Sequence, residues 1–170
     1  MIKHLCLMLI LLGALTTYFI SQRSVGIGKT YILVDPSELT CLAKNIYFES
    51  RNESTAGKVA VAQTTLNRVK SGQFPDTICG VVKQGLKYAN GFPKKDSCQF
   101  SWYCDGKPDL IRNPKAWKDS IGIAETVMFQ KDWMIDITDG AIFYHADYVE
   151  PRWASQKRRM VSIDTHIFYR

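Results

Sequence analysis

Asn45-Ile46-Tyr47-Phe48-Glu49-Ser50-Arg51-Asn52-Glu53 is the stretch on which the reading of this chain turns. Leu39, Leu42 and Ile46 recur at helical spacing, so a helix here buries one stripe. Glu49 stands three residues after Ile46 and seven after Leu42, and so projects from the same stripe. Desolvation disfavours the charged form of a carboxyl placed this way and raises it toward the range of a general acid. The plainer reading is a helix-end glutamate that reaches solvent or pairs with Arg51 or Lys44. Spacing alone favours the plainer reading; the segments on either side change the balance.

Toward the N-terminus, no residue from Leu5 to Gln22 is charged, and Lys3 and Arg23 flank the run. Eighteen such residues are short for a membrane span and long for a signal-peptide core. We read residues 1–23 as a signal anchor or signal peptide, residues 24–36 as a tether closed by Pro36, and residues 37–170 as one exported domain. The 170 residues suffice for one real core. Cysteine usage agrees with export. Cys6 lies in the apolar run, leaving Cys41, Cys79, Cys98 and Cys104, an even number compatible with two disulfides in an oxidising compartment. Cys98 and Cys104 can close a short loop, which leaves Cys41 to Cys79, although four cysteines allow three connectivities. No Cys-x-x-Cys occurs and the three histidines lack ligand spacing, so structural zinc is disfavoured. The net charge of +6 is too small, and too scattered, for a nucleic-acid surface. Lys157-Arg158-Arg159, the densest basic cluster, reads as a solvated turn between strands.

Toward the C-terminus, Ser37 is the predicted N-cap of the first helix, which runs to about Ser50. A second helix follows from about Ala56 to Lys70, with Val59, Ala62, Leu66 and Val69 as its buried face; Asn67 and Arg68 close it, as suited to a structural role as to facing substrate. Asp76 is set to cap a short helix through Val82. Residues 85–114 read as a long irregular segment, pinned by cysteines or carrying function. Asn113-Pro114 opens a third main helix, with Trp117, Ile121, Ala124 and Met128 as its stripe. Residues 141–145, 160–163 and 166–169 are aromatic and β-branched runs typical of strands. Helices followed by a small antiparallel sheet make the fold class α+β.

Several segments match one pattern together. They are Cys41-Leu42-Ala43 through Glu49-Ser50-Arg51-Asn52-Glu53, Gly57 to Ala62, Leu66-Asn67-Arg68-Val69, and Phe74-Pro75-Asp76-Thr77-Ile78-Cys79. Cys98-Gln99-Phe100-Ser101-Trp102, Ala141 to His145, Pro151-Arg152-Trp153 and His166 to Tyr169 complete the order. In this the chain resembles the SleB-type cell-wall hydrolases, spore-cortex-lytic enzymes and related peptidoglycan hydrolases of bacteria and phages. The resemblance implies a lysozyme-like or resuscitation-factor-like helical core with a small C-terminal antiparallel sheet, and one catalytic glutamate, Glu49. We expect no cofactor and no metal, peptidoglycan as the partner, and a monomer held at the inner membrane by the apolar N-terminal segment. Ser50 and Asn52 replace the family's usual Ala and Gly. Asn tolerates the left-handed turn that Gly would supply, and Ser50 brings a hydroxyl near the acid.

The expected chemistry is cleavage of the glycan strand at N-acetylmuramic acid. Protonating the leaving oxygen needs a raised-pKa carboxyl, and ordinary glycoside hydrolysis adds a second carboxylate. A lytic transglycosylase uses one glutamate twice and forms a 1,6-anhydro sugar. Glu53 is the sequence-near second carboxylate, as suited to a turn or cap as to the groove. Gln99 and Ser101 suit sugar hydroxyls, and Trp102 suits a pyranose face or the core. Tyr144 and His145 end a strand, where a lone histidine is more often a hydrogen-bonded structural residue than a base; the resemblance makes both groove candidates. An N-acetylmuramoyl-L-alanine amidase would need more histidines than His145 and His166, a Cys-His peptidase a free thiol, and a non-catalytic peptidoglycan-binding module no desolvated Glu49.

Overall fold

The computed structural model describes residues 35–130 and 132–170; the anchor of residues 1–23, and the tether up to Val34, lie outside them. Helix α1 is Pro36–Ser50, and its cap is Asp35, whose carboxylate accepts from the Ser37 amide at 2.8 Å. Ser37 is therefore not the cap, and Pro36 does not end a tether. A proline suits the first helical position because the missing N–H has no partner there in any case. Helix α2 is Thr55–Lys70, capped by Ser54. The short helix α3, Ile78–Val82, is capped by Thr77 rather than Asp76, since the Thr77 hydroxyl accepts from the Gly80 amide at 3.0 Å. Helix α4, Pro114–Phe129, starts from the expected Asn113 cap. No described helix is long and apolar enough to cross a membrane.

Helix α1 packs against α2, α3 and α4 and supplies the centre of the core, with Leu42, Ala43 and Ile46 fully buried against Ala62, Val81, Val82, Ala124 and Val127. Helix α2 is covered on more than the predicted face. Ala60, Val61, Thr64, Thr65 and Arg68 are buried, while Val59, Leu66 and Val69 are only partly so. Its far side meets a second apolar cluster in which Ala60 touches Ala141 and Phe168 of the C-terminal region. Small residues at 60 and 62 let α2 lie between two layers, which a single-stripe reading misses.

That region forms a three-stranded antiparallel sheet of strands we call β3 (Phe143–Ala146), β4 (Arg159–Ile163) and β5 (His166–Tyr169), in the order β3-β5-β4. Tyr144 pairs with Phe168 and His145 with Ile167. Earlier in the chain, β1 (Gly85–Lys87) and β2 (Pro93–Cys98) form a hairpin inside the segment expected to be irregular. Both strands are largely exposed and rich in lysine, so no alternation of buried residues announces them. The basic cluster is also not a free turn. Arg159 opens β4, Arg158 exchanges backbone bonds with Arg170 at 3.1 and 2.9 Å, and Lys157 lies with Nζ 3.6 Å from the Phe143 ring centre.

Disulfides join Cys41 to Cys79 and Cys98 to Cys104. The first ties α1 to α3, and the second closes the loop that carries Trp102. A polar latch ties the α1–α2 turn to the β4–β5 turn. The Asp164 carboxylate accepts from the Ser54 amide at 2.9 Å, and Glu53 accepts from the Thr165 hydroxyl at 2.8 Å. A Cβ at position 57 would collide with the Asp164 carboxylate, which is why the first turn of α2 carries Gly57.

Candidate active site

Glu49 sits in the last turn of α1, half-buried, where the helix meets β3. Its Oε2 accepts a hydrogen bond from the Tyr144 hydroxyl at 2.9 Å. Burial raises the Glu49 carboxyl above the usual carboxylate range, opposed by the Tyr144 bond and by the charge of Arg68. Burial, with the Glu49 charge beside it, also pushes the Tyr144 hydroxyl well above its usual value. Tyr144 thus stays a donor through any pH at which Glu49 changes state. The Ser50 hydroxyl does not join this pair; it donates to the Ile46 carbonyl of its own helix at 2.9 Å. Nor does Asn52 take a left-handed conformation. The turn closes through the Glu53 amide donating to the Ser50 carbonyl at 2.9 Å, with the non-glycine positive φ values, among described residues, at Asp96, Asp139 and Asp164.

Arg68, which the sequence leaves between a structural and a substrate-facing role, is buried beside the Glu49–Tyr144 pair. It is 4% exposed, its Nε donates to the Ile142 carbonyl at 2.7 Å, and its guanidinium lies 5.1, 5.0 and 5.9 Å from the rings of Phe74, Phe100 and Tyr144. Its Nη1 is buried without a hydrogen-bond partner among described residues. An aromatic cage offsets part of the cost of burying the cation, and the charge faces Glu49 without forming a close ion pair. The signal available in the sequence was an arginine at an i, i+7 spacing from Val61, on the inner side of α2.

The other sequence-predicted residues separate into three places. Trp102, in the 3₁₀ turn Ser101–Tyr103, stacks on Phe48 at 4.7 Å and donates through Nε1 to the buried Asn45 at 3.1 Å. It serves both the core and a groove wall. Gln99 and Ser101 are exposed beside it, and the Gln99 amide is tied to the Gln84 carbonyl at 2.9 Å. Glu53 holds Thr165, as described, and makes no contact with the Glu49–Tyr144 pair. His145 lies on the opposite face of β3 from Tyr144. Its Nδ1 donates to the Ala146 carbonyl and its Nε2 bonds the Tyr169 hydroxyl, both at 2.9 Å, under the Trp153 ring. The pairing of Tyr144 with His145 in one groove, expected from the resemblance, is corrected by the alternation of a strand.

An open groove of about 630 Å³ lies beside the end of α1, lined by Phe48, Arg51, Trp102, Asp105, Asp109 and Arg112; Glu49 and Tyr144 are not in its lining. Burial, with the Asp105 charge close by, raises Asp109, against the pull of Lys44. The carboxylates lining the groove are thus Asp105 and Asp109, neither of them singled out from sequence.

Fold and site together define a small α+β domain whose first helix ends on a desolvated glutamate bonded by a tyrosine from the sheet. The chain belongs to the cell wall hydrolase family, whose pattern it matches over residues 52–169. It is 30% identical over 133 residues to a spore cortex-lytic enzyme of Bacillus cereus, covering 78% of this chain and 44% of that one. A spore cortex-lytic enzyme of Oceanobacillus iheyensis is 29% identical over 146 residues, 85% of this chain and 45% of the relative. The chain therefore spans under half the length of the curated relatives it matches. Two solved structures share the fold. The catalytic domain of the germination-specific lytic transglycosylase SleB from Bacillus anthracis superposes with a TM-score of 0.57 at 28% identity, covering 81% of this chain and 97% of that one. The catalytic domain of the Bacillus cereus SleB protein gives 0.57 and 28%, with 85% and 100% covered.

Proposed function

We propose that this protein cleaves the glycan strands of peptidoglycan by a lytic transglycosylase mechanism, with Glu49 as acid and then base. The observation that carries the reading is the desolvated Glu49 carboxyl at the end of α1, bonded by the Tyr144 hydroxyl. Protonated Glu49 gives its proton to the glycosidic oxygen as the bond from C1 of N-acetylmuramic acid breaks. The resulting carboxylate, stabilised by the Tyr144 hydroxyl and the Arg68 charge, then takes the proton of the muramic 6-hydroxyl. That oxygen bonds to C1, no water is consumed, and Glu49 returns protonated. Arg68 and Tyr144 matter most between the two steps, when the carboxylate is charged in a poorly solvated place. Phe48 and Trp102 offer a stacked aromatic platform for sugar faces. The action is extracytoplasmic, with residues 5–22 as the anchor and two disulfides matching an oxidising compartment.

Mass spectrometry of muropeptides released from purified sacculi tests this. Fragments ending in 1,6-anhydro-muramic acid, one water lighter than hydrolytic ones, are expected. Reducing ends that accept borohydride would show hydrolysis, and Asp109 would then be the second carboxylate to replace. Free alanine termini on intact glycan would mean an amidase.

A further inference from the structure

On the side of β3 away from Glu49, the end of α2, the loop before β4 and the strand end at Arg170 enclose an open pocket of about 500 Å³. Three cations line it, one from each element: Lys70, Lys157 and Arg170. No Asp or Glu is in its lining, and among described residues none of the three makes an ion pair. Lys157 is held over the Phe143 ring, and the Arg170 backbone is fixed by its two bonds to Arg158. The Arg170 guanidinium passes Gly140, where Nη1 lies 3.3 Å from the position a Cβ would take, and Gly140 has φ +75. A side chain at 140 would press on that guanidinium. Asp136 accepts from Asn67, Thr138 and the Gly140 amide, stays charged, and lines a small neighbouring cavity with Lys70, so it offsets part of the positive charge without entering the pocket. Gln73 adds an uncharged amide at the rim.

We propose that this pocket is an anion-binding site, separate from the Glu49 site, which holds a carboxylate or phosphate group of the cell wall while the glycan is engaged. Three cations in one lining that holds no Asp or Glu leave a net positive concavity even with Asp136 beside it, and a concavity focuses field lines. A carboxylate or phosphate accepts from Arg170 in its fork geometry and from the two lysines as point charges. Such groups occur on peptide stems and on phosphate-bearing wall polymers. That the anion comes from the wall rests on the function proposed above; the existence of the pocket does not.

The test is sedimentation of the full chain, in neutral detergent, with purified sacculi. Binding is read at 4 °C over minutes in a Glu49→Gln background, with released muropeptides assayed in the same tubes, so residual cleavage is detected separately from lost binding. Lys70→Gln/Lys157→Gln/Arg170→Gln should weaken binding at low salt by about tenfold, the worth of a few partly exposed charge contacts. The control Lys83→Gln/Lys94→Gln/Lys95→Gln removes the same charge on and beside the β1–β2 hairpin and should stay within about twofold. Equal losses in the two triples, or none in the first, would overturn the site. A second measurement titrates inorganic phosphate and follows amide shifts, which should cluster at Gly140, Phe143 and Lys157; shifts spread over all lysine-rich surfaces would also overturn it. Sacculi stripped of phosphate polymers identify the source, with retained binding assigning carboxylates and lost binding assigning phosphates.

Discussion

Tyr144 and His145 are neighbours in sequence and belong to different parts of the molecule. The face of β3 that carries Tyr144 looks at the helices, where its hydroxyl meets Glu49 and its ring meets Phe168. The face that carries His145 looks away, into an aromatic layer of Trp153 and Tyr169. The first face is where an acid is desolvated and held; the second is where polar atoms are satisfied and packing is completed. The difference teaches that membership of a site on a strand is decided by phase, not proximity in sequence.

The strongest way to break this comparison is Glu49→Gln, which keeps the shape and removes the proton. Release of muropeptides should fall roughly 10³-fold with the fold intact by circular dichroism, as expected for loss of a general acid. Near-normal activity would remove the helix-facing side from the chemistry. The same variant sharpens the electrostatics. Because the native Glu49 carboxyl is raised above its unfolded value, the native state binds more protons between the two values. Wild-type stability contributed by this group therefore falls as pH rises through that window, and the Gln variant should be the more stable at pH above it. Thermal melts that show the two converging in acid, and separating in that direction in base, are the expected outcome.

Next in size, loss of the Cys41–Cys79 bridge should lower stability by about 4 kcal/mol, because it joins residues 38 apart. Loss of Cys98–Cys104, which joins residues 6 apart, should cost about 2 kcal/mol. Denaturant midpoints of the two double alanine variants measure the order, and a reversed order would mean the loop bridge holds more than the Trp102 wall.

Tyr144→Phe removes a hydrogen bond to a charged form and should lower kcat/KM about tenfold. Without that donor Glu49 rises further, so the basic limb of the pH profile should move to higher pH; a shift to lower pH would contradict the geometry. The smallest effect is expected across the sheet. His145→Phe should leave kcat/KM within about twofold and cost about 1 kcal/mol of stability, since it loses only packing and two neutral hydrogen bonds. A large loss of activity with normal stability would put His145 back in the groove.

What could be read from the sequence follows the same division. Helices α1, α2 and α4 were legible because apolar spacing is local, with the Asn113 cap also legible for α4, while the cap of α1 is Asp35 rather than the expected Ser37. Glu49 was legible as a candidate because it shares the stripe of Leu42 and Ile46. The existence and type of the three C-terminal strands were legible from aromatic and β-branched runs. Their phase was not, because it is set by which residues of β5 and α2 lie opposite. The place of Arg68 beside Glu49 was hidden for a related reason. A buried arginine needs a cage, and its rings come from Phe74, Phe100 and Tyr144, three segments that only the tertiary fold brings together. The groove acids Asp105 and Asp109 sit in a loop without periodicity, and the β1–β2 hairpin buries too little to leave a pattern.

The sheet order β3-β5-β4 has a further consequence, for the order of events during synthesis. The strand latest in the chain is the central one, so β3 and β4 have no neighbour until residues 166–169 are made. The latch between Glu53 and Thr165 closes across 112 positions and also waits for them. A growing chain can pack α1 on α2 early, since local contacts form first. It then carries Glu49 on a finished helix opposite an unanchored Tyr144. The acid is thus the first part of the machinery to be folded and the last to be armed.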